Sequence, residues 1–457
     1  MKRQLSILLS IFLLLALSAC GAARQPSRLP DPEEVKALLV QLVDEKKLAP
    51  GIVVGMIAAE PEERWVVGYG RLSAADDRVP DGDTVFEIAS VTKVFTGTLL
   101  AQAVLNGEVR LDDPISMYLP EGVTAPEYKG TPITLLDLAT HSAGFPRWPN
   151  NNIPRDSRNP FAGYTLDLMY EYLSGYRLTR APGSTYEYSN YGFGLLGNLL
   201  ARRAGVADYE ALLMEHITGP LGMDSTRIEL TPDMRSRLAP PHSTYSVETS
   251  LWNDPVLSGA GSIRSTANDL LIFLAANMGM TETKLQPALQ LANTPQRPGE
   301  VLAYIGLGWN MPGSGIGIHF HGGGSAGSSS FLAWDSERRI GVVVLMNIGN
   351  APKEQLAYQL LRGLPKPFPV DPKVLAEYAG RYQLSGDFSS IVFTIRVDGN
   401  RIFIQVPNQP DNELVAHSDN QFYLDNADVT FYRNANGEVD RLVLARFGES
   451  LEAKKVP

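Results

Sequence analysis

The sequence predicts an α+β domain, in which strands and helices both occur, followed by a smaller all-β domain. Three observations carry this. Early apolar residues alternate as two strands and then switch to helical spacing. A strand pattern returns near Gly317, well after an apolar run of helical spacing that follows Asn190. Beyond a Pro-rich break near Leu364, every run is short, alternating and bounded by turns such as Asp-Gly and Asn-Gly. With 457 residues, 44% of them hydrophobic and 20% charged, the chain is long enough for two or more domains and a real core. Its formal charge of -10, with no run of five or six Lys/Arg, offers no electrostatic footprint for nucleic acid or anionic lipid.

At the N-terminus, Lys2 and Arg3 precede the apolar stretch Leu5 to Ala19, so residues 1-19 are expected to be an export signal outside the fold. Cys20 is the only cysteine, which leaves no disulfide and makes stability a matter of packing. Its context, Leu17-Ser18-Ala19-Cys20-Gly21, resembles the lipobox of bacterial lipoproteins. That resemblance implies cleavage before Cys20, lipidation of Cys20, and attachment to a bacterial membrane on its extracytoplasmic side. An ordinary export signal with an incidental cysteine is the other reading. Residues 20-32 are polar and Pro-rich, a tether, and the first domain is expected to occupy 33-364.

From Glu33 onward, Val35, Leu38, Leu39, Leu42 and Val43 recur at helical spacing. Gly51 to Ala59 and Arg64 to Leu72 read as a hairpin around the acidic turn Glu60 to Glu63. Next comes "FEIASVTKVFTGTLL", in which Val91, Val94, Phe95, Leu99 and Leu100 predict a helix beginning close to Ser90. On that helix Ser90 and Lys93 share a face, about one turn apart. A hydroxyl is a poor nucleophile until a base takes its proton, and an amine can do so only when neutral. Lysine's ordinary pKa of about 10.4 must then fall by roughly 3, and burial on an apolar helix face is one route to such a fall. A serine at a helix N-terminus also has free backbone N–H groups close by, where a carbonyl oxygen gains charge. A lone S-x-x-K is more often a snorkelling lysine on an amphipathic helix. What argues otherwise is its company.

In "APGSTYEYSNYGFGLLGNLL", Ala181 to Leu200, a Pro-Gly turn leads through Tyr188-Ser189-Asn190 into a helical run. A phenol at that entrance can relay a proton, and an amide can orient a substrate carbonyl or hold Lys93. "GIHFHGGGSAGSSSFLAW", Gly317 to Trp334, alternates as a strand, breaks at Gly322, Gly323 and Gly324, and resumes as a strand. Glycine backbone there lets a substrate approach closely.

These segments together resemble the serine hydrolases of the penicillin-binding protein and class C β-lactamase-related family, over roughly Glu33 to Leu364. The resemblance rests on S-x-x-K at Ser90 to Lys93, "LLDLATHSAGF" at Leu135 to Phe145, and Y-x-N at Tyr188 to Asn190. "GPLGMDST" at Gly219 to Thr226, "GAGSIRSTANDLLIFL" at Gly259 to Leu274 and H-G-G at His321 to Gly323 come next, in the family's order. It implies the DD-peptidase/β-lactamase-like fold, an antiparallel sheet flanked by helices with a helical subdomain, with Ser90 as acylated nucleophile and Lys93 and Tyr188 sharing base and acid duty. Asn190 would contact substrate, and the N–H groups of Ser90 and Gly324 would form an oxyanion hole. His321 would stand on the edge strand where many relatives carry lysine. No K-T-G occurs in this chain, and a neutral histidine followed by glycine offers a β-lactam carboxylate little charge. Ester or amide hydrolysis, on short-chain esters, D-amino-acid peptides or peptidoglycan-type peptides, is therefore expected ahead of strong β-lactamase activity. A true class C β-lactamase, and a non-catalytic relative that only binds peptides, are the alternatives.

Other matches in the chain point elsewhere. Gly323 to Gly327 fits G-x-S-x-G, but Ser328 to Trp334 reads as a strand, whereas a nucleophile elbow needs a helix after its serine. Ser418-Asp419-Asn420 and Tyr432-Arg433-Asn434 match motifs out of order, and read as surface turns. His141 is expected to be a loop histidine bonded to backbone. His216, His242, His319 and His417 show no metal-ligand spacing, so neither metal nor cofactor is indicated. Phe145 to Gly163 is a long polar loop expected to border the cleft, with Arg147 and Trp148 as contacts. The final segment, 365-457, resembles the lipocalin-like C-terminal domains of several relatives, and a sandwich is equally open from its strand spacing.

Overall fold

The computed structural model describes residues 29-154, 156-244, 247-299, 303-364, 366-386, 391-406, 411-424, 427-446 and 449-457. The expected export signal, Cys20 and the first part of the tether lie outside the described residues. Leu29, the first described residue, is buried. The Asp31 side chain accepts the Glu33 N–H, Pro32 occupies the first turn, and Glu33 and Glu34 complement the helix dipole. The cap thus sets the helix start, one residue ahead of the expected Glu33.

The helices that frame the site are α1 (Pro32–Val40), α2 (Thr92–Leu105), α3 (Asn190–Ala204), α4 (Ala267–Asn277) and α5 (Lys353–Leu361). The main strands are β1 (Gly51–Ala59), β2 (Glu62–Gly70), β3 (Ile318–Gly324), β4 (Ser329–Asp335) and β5 (Ile340–Met346). β1 and β2 form the expected hairpin with Ala59 opposite Glu62, so Glu62 and Glu63 belong to the strand rather than to the turn. The antiparallel sheet runs β2, β1, β5, β4, β3 and then three two-residue strands, Asn310–Met311, Tyr304–Ile305 and Arg297–Pro298. β3 is consequently not an edge strand: Phe320 pairs with Asn310.

Alternation divides the core. Ile52, Val54, Met56, Val342, Val344 and Met346 bury one face of the sheet with α1 and α5. Val53, Ile57, Val343 and Leu345 bury the other with α2, α3 and α4. Gly55 lies on that second face, where a Cβ would meet Leu271 at 2.9 Å, so its missing side chain lets α4 pack close. α2 is buried on nearly every side, Lys93 included, as expected of a helix apolar all round. Phe95 of α2 stacks on Phe273 of α4 at 4.2 Å.

Beyond α6 (Pro372–Tyr378), eight strands from Gly380–Leu384 to Glu449–Val456 close into a barrel, the first pairing with the last through Arg381 opposite Val456. A barrel rather than a sandwich is the outcome. Tyr382, Phe393, Ile404, Phe422, Phe431 and Leu442 fill it, and Tyr378 of α6 stacks on Phe431 at 4.1 Å. Its interior is therefore packed core. The Phe368 N–H donates to the Ala416 carbonyl at 3.0 Å and Arg362 pairs with Asp428 at 3.0 Å, joining the barrel to the chain that enters it.

Candidate active site

Ser90 stands on a clamped turn. The Ile88 N–H donates to the Ile263 carbonyl at 3.1 Å, while the Ile88 carbonyl accepts the Val91 N–H at 3.1 Å and the Ser330 hydroxyl at 2.6 Å. Between these anchors Ala89 takes a left-handed φ of 45°, a conformation L-residues adopt at a cost of about 1–2 kcal/mol and keep only when their surroundings over-determine it. Ser90 lies in a short 3-10 turn, Ala89–Val91, and the α-helix itself begins at Thr92, slightly later than expected.

Lys93, in the first turn of α2, is 0% exposed. Its Nζ lies 3.2 Å from Ser90 Oγ, 2.7 Å from Asn190 Oδ1 and 2.7 Å from the Ala260 carbonyl. The last two are acceptors only, so they take two N–H bonds. A neutral amine has two N–H groups and one lone pair, and the lone pair is then left facing the Ser90 hydroxyl. Burial, and then the positive charge of Arg147, hold the Lys93 pKa well below the ordinary lysine range. Among the described residues no carboxylate forms an ion pair with this amine.

The loop and the entrance to α3 fix the other two expected residues. Ser189 caps α3: its Oγ accepts the Gly192 N–H at 3.0 Å and donates to the Pro146 carbonyl at 2.8 Å. The Asn190 N–H donates to the Arg147 carbonyl at 3.0 Å, and the Ser189 N–H donates to His141 Nδ1 at 3.0 Å. His141 is thus the backbone-bonded loop histidine that was expected. Burial first, and the nearby Lys93 next, push its pKa well down, keeping it neutral. Its ring packs 4.3 Å from the Tyr188 ring. Tyr188 in turn has Lys93 Nζ 4.8 Å and Arg147 Cζ 5.1 Å from its ring centre.

The strand period sorts the glycine segment. His321 and Gly323 face inward, Gly322 faces the opposite side toward Phe331 and Glu354, and Gly324 ends the strand in open space. A Cβ on Gly323 would lie 2.2 Å from the Ile88 carbonyl oxygen and 2.2 Å from Ser330 Oγ, so only glycine lets β3 lie against the Ser90 turn. A cavity of about 290 Å³ opens there, lined by Ser90, Asn190 and Gly324 among the expected residues. His321, Gly322 and Gly323 do not line it. His321 is 3% exposed, its Nδ1 lies 2.8 Å from the Gly322 carbonyl, and burial beside Lys93 lowers its pKa to about 3. The imidazole is neutral and packed behind the cavity, not presented to it. Arg147 and Trp148 of the expected loop do border the cavity.

Sequence reasoning missed the far wall. Trp252 and Asp254 line the cavity, and Glu87 and Arg264 are buried behind them. Glu87 accepts the Trp252 N–H at 2.7 Å and the Ser325 hydroxyl at 2.9 Å, with Arg264 at 3.9 Å; burial pushes its carboxyl up against these bonds. Ser325, the serine of the G-x-S-x-G match, is therefore a buried donor between two antiparallel strands. Burial also pushes the Asp254 carboxyl up, to about 7. Local pattern gave no signal for these residues, because "WNDP" reads as an ordinary loop; the two aromatic residues within otherwise polar loops, Trp148 and Trp252, were the nearest to one. Among the described residues no group of three or more His, Cys, Asp and Glu is arranged to hold a metal ion.

The β-lactamase family model matches residues 39–364, and a domain of unknown function (DUF3471) matches residues 364–455. The chain is similar to the D-alanyl-D-alanine-carboxypeptidase/endopeptidase AmpH of Escherichia coli (strain K12), 31% identical over 363 residues, 76% of this chain and 91% of that one. It is 27% identical to a β-lactamase of the same organism over 393 residues, 77% of this chain and 98% of the other. Of solved structures, the D-alanine carboxypeptidase AmpC from Burkholderia cenocepacia matches with a TM-score of 0.61 at 26% identity, covering 73% of this chain and 99% of that one.

Proposed function

Because the chain belongs to the β-lactamase family of serine hydrolases, we propose that it cleaves ester or amide bonds through an acyl-enzyme on Ser90, with D-amino-acid peptides, peptidoglycan-type peptides or short-chain esters as substrates and β-lactams as poor ones. The observation that carries the reading is the hydrogen bonding of Lys93: both N–H groups of a neutral amine are engaged by Asn190 and Ala260, and Ser90 Oγ is the third neighbour. In the first step the Lys93 lone pair takes the Ser90 proton as Oγ attacks the substrate carbonyl carbon. The N–H groups of Ser90 and Gly324 receive the developing oxyanion. The proton held on Lys93 passes, with Tyr188 as relay, to the leaving amine or alcohol as the scissile bond breaks. Water repeats the sequence on the acyl-enzyme, returning its proton to Ser90.

Two observations favour substrates with a free carboxylate. Two of the similar proteins are carboxypeptidases by name. Arg147, exposed at the cavity, makes no ion pair or side-chain hydrogen bond among the described residues, so its guanidinium is available for a carboxylate. A fluorophosphonate probe and a fluorescent penicillin, applied to the parent and to Ser90→Ala, test the acyl-enzyme. A covalent adduct on the parent that the variant lacks is expected. An adduct of equal yield on both, or none on either, contradicts the reading. A panel of short-chain esters, D-Ala-D-Ala peptides and cephalosporins then ranks substrates, and cephalosporins turned over fastest would restore the β-lactamase alternative. Lipid anchoring through Cys20, facing the extracytoplasmic side of a bacterial membrane, belongs to the same proposal. It rests on the lipobox-like context alone, and a Cys20→Ala variant that partitions with membranes as the parent does would remove it.

A further inference from the structure

We propose that Asp254 determines specificity by pairing with an ammonium group on the substrate, so that the enzyme prefers short peptides carrying a free amine to the same peptides with that amine acylated. The inference rests on the acyl-enzyme reading above and adds a substrate class to it. Asp254 lines the same cavity as Ser90 and is only 6% exposed. Its Oδ1 is buried and has no hydrogen-bond partner among the described residues. A buried carboxylate oxygen left unpaired is expensive, and such a group in a native site calls for a partner.

The buried Arg264 nearby does not fill that place. The Arg264 guanidinium donates to the Ile228 carbonyl at 3.0 Å, to the Ser262 carbonyl at 2.9 Å and to the Trp252 carbonyl. Its carboxylate neighbour is Glu87, at 3.9 Å. Glu87 and Asp254 thus both lie within the influence of this guanidinium, and one negative charge is left over on the cavity side when both ionise. Burial has moved the Asp254 pKa to about 7, and an arriving cation would favour the ionised form. The remaining wall suits the same ligand. Trp148 and Trp252 line the cavity with their rings 6.3 Å apart, and indole faces attract ammonium groups. Arg147 lines it too, supplying a cation of its own. A dipolar peptide, with an amine for Asp254 and a carboxylate for Arg147, matches the charges present.

The test compares Nα-acetyl-L-Lys-D-Ala-D-Ala with its Nα,Nε-diacetyl analogue on the full chain, reading D-alanine release as the ratio of kcat/KM values within each protein. The parent is expected to prefer the free amine by about tenfold or more, the range of a hydrogen bond between charged groups. Asp254→Asn, with thermal unfolding as its check on folding, should bring the ratio to within about twofold of unity. A parent ratio near unity, which needs no variant, overturns the assignment, as does an Asn variant that keeps the parent's ratio. Fluorophosphonate labelling of the parent separates the two proposals: labelling that depends on Ser90 without an amine preference sinks the Asp254 assignment alone, and no such labelling sinks both.

Discussion

Lys93 shows how a single buried side chain can decide chemistry. Desolvation penalises the ammonium and, among the described residues, no carboxylate pairs with it, so the amine is neutral at a pH where an exposed lysine is charged. On the proposed reading, in which the deprotonated amine is the base, acylation of Ser90 should rise with pH through the depressed Lys93 titration and level off below the ordinary lysine range, measured as the rate of probe labelling. His321, neutral above about pH 3, should not contribute, so His321→Gln is expected to keep the same inflection, within about half a pH unit. Lys93→Ala should lower the labelling rate by about 10²–10⁴, the range for loss of a general base. Arg147→Gln should lower kcat/KM about tenfold for a peptide with a free C-terminal carboxylate and much less for a neutral ester; equal losses on both would remove its role in substrate recognition. That Ser90, Lys93, Tyr188 and Asn190 lie close together was legible because side-chain identity and short spacing announce them. The Ala260 carbonyl and Asp254 were not: a backbone oxygen has no sequence signature, and a carboxylate in a loop looks the same whether solvated or buried.

At the scale of elements, the site depends on one strand touching one turn. Gly323 lets β3 approach Ile88 within the space of a missing Cβ, and that contact joins the Ser90 turn to the Gly324 N–H. Gly323→Ala must push the two apart by an ångström or more, and a misplacement of that size costs about 10² in rate. Probe labelling should fall by that factor while circular dichroism keeps its helical signal; undiminished labelling would mean the ledge has another support. Periodicity foresaw β1, β2, α2 and α3, since each carries a dense apolar pattern. It missed the 3-10 turn at Ala89 and the interior place of β3. The first is a left-handed alanine imposed by the Ile88 and Ser330 hydrogen bonds, and the second depends on the two-residue strand Asn310–Met311, too short to show a period.

Across the whole molecule, the first domain and the barrel have separate cores, and among the described residues none of the barrel strands contributes to the cavity at Ser90. Strand spacing alone could not distinguish barrel from sandwich, because closure depends on the first strand meeting the last, a contact between residues about 75 positions apart in sequence. Phe431→Ala removes a ring that stacks on Tyr378 inside the barrel and should destabilise that domain by about 3–5 kcal/mol. Thermal unfolding should then show an earlier barrel transition, with Ser90 labelling unaffected below it; labelling lost at the same temperature would tie the site to the barrel. The central claim, an uncharged lysine facing the nucleophile, is tested most directly by the protonation state of Lys93, read from the ¹³Cε shift in lysine-labelled protein and assigned by its loss in Lys93→Arg. The account predicts an amine that loses its proton well below the exposed lysines, with a titration that coincides with that of Ser90 acylation. A Lys93 that stays charged at pH 7 and titrates with the exposed lysines, while Ser90 still reacts, would contradict it.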